Sequence, residues 1–339
     1  MKIFTEKITD AGELLEAATA FRISKTIFAA VSLRIFDWLA NDPLNSKDLS
    51  RKMGVGDDAL SRLLDACTSL GLLQKDSDRY QNTPLAAQYL CWSSDATLNH
   101  TFQRYNEIDY QAWGHLEKAI SGYCLPLPTE AASSEAKIQF QMRMDGYMRL
   151  VLPELLAQFD LSEVKTLIDL GGGTGAFAIA VCEAYDHIEA TVLDRMLEDE
   201  AVKDFANKML EKSVVVNKSN VRFVGGDYRK GEFNQADLFV ASRVLHHHSD
   251  SEIRKLMYRV FAATSPGGAF LIAEHILNDE KTGTIRAMSG SLSMLLWNGQ
   301  FKQRSFKEFA DLASEAGFTE EKRWEAGGGG IDGLLLRKP

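Results

Sequence analysis

A chain of 339 residues, 45% hydrophobic and 25% charged, is long enough for two cored domains and too apolar to be disordered. Its formal net charge of −9 excludes a general attraction to nucleic acid or to an anionic membrane surface, since both reward clustered Lys and Arg. Cys67, Cys91, Cys124 and Cys182 are widely spaced and form no CxxC pair, which speaks against a zinc ribbon or a disulfide framework and for a reducing cytosol.

The chain opens "MKIFTEKITDAGELLEAA", which is acidic and amphipathic and does not read as a signal peptide. No uncharged run reaches the length of a membrane span, so a cytoplasmic protein without a membrane partner is expected. Up to about residue 158 the apolar residues recur at three- and four-residue intervals, the stripe of packed amphipathic helices. Within this half, "NSKDLSRKMGV" predicts a helix led by Ser46 and stopped at Gly54. A second helix opens on Asp57 and Asp58, and short strand-like runs flank the polar "KDSDRYQNT" turn. That is the layout of a winged helix. The helix that would enter a DNA groove carries Asp57, Asp58 and Asp65 against Arg62, so a packing or dimerisation role is expected rather than duplex binding.

Phe140 and Met144 of "FQMRMDGYM" are four apart and share a helix face, as a ring-gripping pair or as ordinary core. From residue 164 the pattern changes. "VKTLIDLGGG", "IEATVLDR", "VRFVGGD", "QADLFVASRVL" and "GGAFLIAEHIL" are short β-branched runs separated by helical segments. They predict a doubly wound α/β sheet, which binds ligands at the carboxyl ends of its strands.

"IDLGGGTGAFAIAV" places Asp169 before Gly171, Gly172, Gly173 and Gly175. A dinucleotide loop reads GxGxxG because pyrophosphate sits on a helix N-terminus. A carboxylate facing the loop suits instead a cationic amino-acid ligand such as S-adenosylmethionine. Asp194 ends the next strand, where an acid can accept ribose hydroxyls, and Asp227 of "GGDY" follows the third, where one could accept from an adenine amino group. Singly, each acid also reads as a loop or cap residue. Three at successive strand ends make a nucleoside site the better reading.

"RVLHHHSD" sets His246, His247 and His248 side by side, as a base with two bystanders, as metal ligands, or as buried or capping residues. Consecutive side chains point in different directions, and zinc sites use i, i+4 spacings or ligands from separate elements, so no metal site is expected. "EAGGGGIDG", residues 325 to 333, reads as a connection between the last two strands.

Nearly the whole chain resembles the S-adenosylmethionine-dependent small-molecule O-methyltransferases of the acetylserotonin and caffeic-acid type. The winged-helix half, "WGHLEKAI", "FDLS", "DLGGGTGA", "GGDY", "ASRVLHHHSD", "SPGGAFLIAEHIL", "SLSMLLWNG" and "KEFADLASEAGF" occur in the family's order. The resemblance implies a class I methyltransferase fold, a doubly wound Rossmann-like sheet behind an all-helical winged-helix dimerisation domain. Its expected divisions are residues 1–100 for dimerisation, 101–158 for a helical linker contributing to the acceptor pocket, and 159–339 for cofactor binding and catalysis. It implies a homodimer, with Asp169, Gly171, Gly173, Asp194, Asp227, Tyr228 and Arg243 at the cofactor.

His246 falls on the family's general base, which takes a proton from the acceptor hydroxyl. Glu274 falls on the acid that orients it. A second family acid, in a motif like "KERT", is Gln303 here, which leaves Glu274 alone in that role or weakens the base. Phe140, Met144, Met294, Trp297 and Asn298 match residues around an aromatic acceptor. The expected reaction moves a methyl to a hydroxyl of a small aromatic metabolite and releases S-adenosylhomocysteine. His247 and His248 depart from the family's acid and tryptophan. They keep open a scaffold that retains the methyl and serves decarboxylation, hydroxylation or rearrangement. N-methylation of a heterocycle and a winged-helix regulator are further alternatives.

Overall fold

The apolar stripes of the first third of the chain close over one another in a helical unit with its own core. The computed structural model describes residues 7–126, 133–283, 285–297, 301–327 and 330–339, and the chain divides into units over Lys7–Gly114 and His115–Pro339.

In the first unit α1 (Ala11–Thr19), α2 (Phe21–Ser32) and α3 (Ile35–Trp38) precede a two-residue strand β1 (Leu44–Asn45) and α4 (Ser46–Met53). Asn45 caps α4 by accepting from the Asp48 amide, and Gly54 stops it in the left-handed conformation that glycine tolerates. α5 (Asp57–Ser69) turns Leu60, Leu64 and Cys67 inward. The hairpin of β2 (Leu73–Asp76) and β3 (Arg79–Asn82) joins β1 in a sheet ordered β1-β3-β2. This is the expected winged helix, but the small sheet means the unit is not all-helical. α6 (Pro84–Tyr89), α7 (Asn99–Arg104), a π-helical turn at Tyr105–Asp109 and α8 (Tyr110–Trp113) complete it.

The second unit begins with α9 (Leu116–Ile120) and α10 (Ser134–Leu156). Then come β4 (Thr166–Leu170), α11 (Ala176–Ala184), β5 (Glu189–Asp194), α12 (Glu200–Lys212), β6 (Val221–Gly225), β7 (Ala236–Ser242), α13 (Asp250–Ala263) and β8 (Thr264–Glu274). α14 (Ile285–Trp297), α15 (Phe306–Ala316), β9 (Thr319–Trp324) and β10 (Asp332–Arg337) end the chain. The sheet order is β6-β5-β4-β7-β8-β10-β9, parallel from β6 to β8 and antiparallel around β10.

Period-two alternation divides the strand side chains between two cores. Leu167, Val192, Leu238 and Leu271 pack with Leu152, Leu155, Phe177 and Val181 of α10 and α11. Ile168, Leu170, Phe239 and Phe270 pack with Met257 and Phe309 of α13 and α15 on the other face. Because α10 packs into the first of these cores, the chain divides at Gly114/His115, whereas the sequence reading set boundaries after 100 and 158. The strand order runs outward from β4 in both directions, so the crevice between β4 and β7 is the topological switch point where such sheets take ligands.

Candidate active site

β4 feeds a loop in which Gly171, Gly173 and Gly175 take φ of 71°, 56° and 78°, a region that side chains with a Cβ avoid. Close approach is the second demand. A Cβ on Gly172 would lie 2.3 Å from Asp169 Oδ2, and one on Gly173 would lie 2.2 Å from Gln141 Oε1. The loop therefore lies directly against an acid below and a helix beside it. Asp194, at the end of β5, accepts from the amides of Gly173 at 3.0 Å and Met196 at 2.7 Å, tying the loop to the neighbouring strand. Each of its oxygens keeps a further acceptor site.

Asp169 is fully buried, and neither of its oxygens has a hydrogen-bond partner among the described residues. Burial, and then the nearby Asp194 charge, push its carboxyl up to about 7. A buried acid left without a partner calls for a ligand that donates to it.

A cavity of about 380 Å³ opens above the loop, between α10 and the ends of β4, β5 and β7. Of the residues expected from sequence, Asp169, Gly171, Gly173, Asp194, Asp227, Tyr228, Arg243, Phe140 and Met144 line it. His246, Glu274 and Met294 are not on its wall. Asn298 lies outside the described residues. Asp227 is partly engaged: Arg229 grips both its oxygens at 2.8 and 2.7 Å, which with the Arg229 amide holds its carboxyl down to about 2 and leaves Oδ2 with one donor. Arg243 has φ 55° although it is not glycine, and its amide donates to the Ala273 carbonyl at 2.8 Å. Its guanidinium lies 4.7 Å from the centre of the Tyr147 ring, with Nε unpartnered among the described residues.

The three histidines divide their tasks. His246 Nδ1 is 2.9 Å from Glu274 Oε2, and the Leu245 amide donates to Oε1 at 2.8 Å. Burial raises the Glu274 carboxyl, but the charge and hydrogen bond of His246 and the charge of Arg243 outweigh it and bring it to about 2. His247 stands on the cavity wall, its ring 4.0 Å from that of His246 and edge-on to Phe301 at 5.2 Å. Burial, then His246, lowers its imidazole to about 3. His248 Nε2 is 2.5 Å from the Tyr228 hydroxyl, and burial lowers its pKa.

A 3₁₀ turn at Leu245–His247 brings the His246 and His247 rings to 4.0 Å at an interplanar angle of 48°, tilted against each other, with only His247 of the two on the cavity wall. No group of three His, Cys, Asp or Glu is placed to hold a metal among the described residues. Gln303 is buried and makes no hydrogen bond to His246 among the described residues, which leaves Glu274 as the imidazole's partner.

Sequence reading passed over Gln141, Asp145 and Met148, which line the cavity from one face of α10. No sequence signal marked them, because their partners Met196 and Thr174 lie 55 and 29 residues away. Asp145 pairs with Arg149 at 2.6 Å and accepts from the Thr174 hydroxyl at 3.5 Å. His247 and His248 as wall residues had no such signal either.

Comparison with known proteins agrees with this geometry. An O-methyltransferase domain model matches residues 118–319, and an O-methyltransferase dimerisation domain model matches residues 15–91. The chain is 32% identical to acetylserotonin O-methyltransferase of Bos taurus, over 96% of this chain and 97% of that one. It is 29% identical to the tetracenomycin polyketide synthesis 8-O-methyl transferase TcmO of Streptomyces glaucescens, over 97% of each. The crystal structure of human N-acetylserotonin methyltransferase in complex with SAM superposes with a TM-score of 0.83 at 27% identity, covering 98% of this chain and 99% of that one.

Proposed function

The chain belongs to the O-methyltransferase family and carries that family's dimerisation domain, and from that premise we propose that it methylates a hydroxyl of a small aromatic molecule with His246 as general base. The cofactor, S-adenosylmethionine, supplies an electrophilic methyl group on a sulfonium. The residues fit it. Asp169 offers a buried, unpartnered carboxylate to an ammonium, Asp194 keeps acceptor capacity for ribose hydroxyls, and the left-handed glycines leave the space that a Cβ would fill.

The observation that carries the reading is the buried His246–Glu274 pair at 2.9 Å. An anionic Glu274 keeps the proton of the neutral imidazole on Nδ1, so Nε2 is the atom with a lone pair to take the acceptor's proton. As that proton arrives, the same carboxylate stabilises the imidazolium. His247 faces the cavity but is a poor rival, because an imidazole whose pKa is lowered to about 3 by burial gains little by protonation at neutral pH. Because His246 is not itself on the cavity wall, the acceptor hydroxyl must also reach Nε2 while its oxygen is aligned with the methyl, an alignment that Phe140 and Met144 would support by gripping a flat ring from α10.

The test is formation of S-adenosylhomocysteine from S-adenosylmethionine and a panel of phenols, in wild type and His246→Ala. Product that depends on the phenol and falls by about 10²- to 10⁴-fold in the variant supports the base. Equal turnover in both removes His246 from the chemistry. Tight cofactor binding with no homocysteine product from any acceptor points to a reaction that keeps the methyl.

A further inference from the structure

We propose that Arg304 is the positioning residue that locks the histidine turn onto Glu274, an inference that rests on reading His246 as the base. Arginine is seldom fully buried, yet Arg304 is 1% exposed and heads the fully buried side chains by volume. Its guanidinium spends its donors on the turn. Nη1 donates to the Leu245 carbonyl at 3.3 Å and Nη2 to the His248 carbonyl at 2.6 Å, the two carbonyls that bracket His246 and His247. Nε donates to Asp250 Oδ1 at 2.8 Å, at the first residue of α13.

The backbone of the same residue grips the other half of the pair. The Arg304 carbonyl accepts from the Leu277 amide at 2.9 Å, three residues beyond Glu274, and the Phe306 amide donates to the Leu277 carbonyl at 3.2 Å. One residue therefore spans the turn that carries the imidazole and the segment leaving the strand that carries its carboxylate. A rigid planar fork can serve two carbonyls and a carboxylate at once, which a lysine ammonium on a flexible stem cannot do with the same geometry. A buried charge used only for stability would be a poor investment, because its desolvation offsets most of the attraction to a partner. Asp250 is itself half-exposed. What the arrangement secures is orientation: with the turn held, Nδ1 stays on Glu274 and Nε2 keeps one direction.

The experiment compares wild type, Arg304→Lys, Arg304→Met and a stability control, Leu312→Ala in α15, each as the full chain. The side-chain ¹⁵N shifts of His246 are followed across the range in which imidazole titrates, beside melting temperature, kcat and KM. In wild type His246 holds the Nδ1–H tautomer. In both Arg304 variants that signature averages or is lost, and kcat falls about 100-fold with little change in acceptor KM, the scale expected of a misplaced catalytic group. Leu312→Ala lowers the melting temperature and leaves the His246 shifts alone. The proposal is overturned if His246 keeps its shifts in both Arg304 variants, or if Leu312→Ala perturbs them equally. Full activity in His246→Ala would remove the base while leaving the tautomer comparison to judge Arg304 separately.

Discussion

Asp169 is where stability and binding pull in opposite directions. Its native carboxyl titrates near 7 against an ordinary value of 3.8, so between these pH values the folded protein binds more protons than the unfolded chain and loses stability as pH rises. Asp169→Asn should therefore raise the melting temperature of the ligand-free protein at pH 8 while abolishing S-adenosylmethionine binding, which calorimetry and thermal melts check together. In wild type, affinity should tighten as pH rises through about 7, because the site must lose its proton before it can receive a cation. A flat affinity profile across that range would sink the assignment. Glu274→Gln tests the neighbouring pair. The amide keeps the shape but cannot stabilise the imidazolium, so kcat should fall by about 10²-fold or more with cofactor affinity retained. Of these residues, Asp169 and Asp194 stand out in the sequence because each lies at the end of a strand-like run, whereas His246 and Glu274 were singled out through the family resemblance. Arg229 on Asp227 was not, although it lies two residues away, because spacing does not say which way a loop arginine folds.

At the level of elements, the glycine loop and α10 meet in a way that allows no slack. Gly172 has no positive φ, yet its ideal Cβ would lie 2.3 Å from Asp169 Oδ2 and 2.9 Å from Val192 Cγ1. Gly172→Ala should cost about 1–3 kcal/mol by overpacking and should also weaken cofactor binding, as read by denaturant melts and calorimetry. If the variant binds as wild type does, the loop is softer than its contacts imply. α10 brings Phe140 and Met144, expected from sequence to share a face, to the cavity wall. Its other contribution, Gln141 against Met196 Sδ at 3.0 Å and Asp145 towards Thr174, stayed hidden because those partners are some thirty residues or more away in sequence. The histidine turn is the converse case. Alternation predicts rings that part, and a single 3₁₀ turn instead brings two of them within 4.0 Å, tilted by 48°.

For the whole molecule, the first unit leaves apolar surface that a monomer has no reason to expose. α1 buries no residue, and Leu14, Leu15, Phe21, Leu33 and Trp38 are exposed. With the dimerisation domain match over residues 15–91, this supports a homodimer. Light scattering should give twice the mass of one chain, and Leu15→Glu should shift the population towards monomer. A monomeric wild type would overturn that expectation. No helix among the described residues is long and apolar enough to cross a membrane. The sequence by itself determined the alternation of strand and helix, the winged helix, the glycine loop and the acids at the strand ends. All of these follow from local periodicity and backbone rules, which act over a few residues. Only the tertiary structure decided that His247 and His248 face the cavity, that Asp227 is held by Arg229, and that Arg304 donates to the carbonyls on either side of the turn. Each of these depends on how side chains are directed once the backbone is packed, and sequence spacing carries no record of that direction.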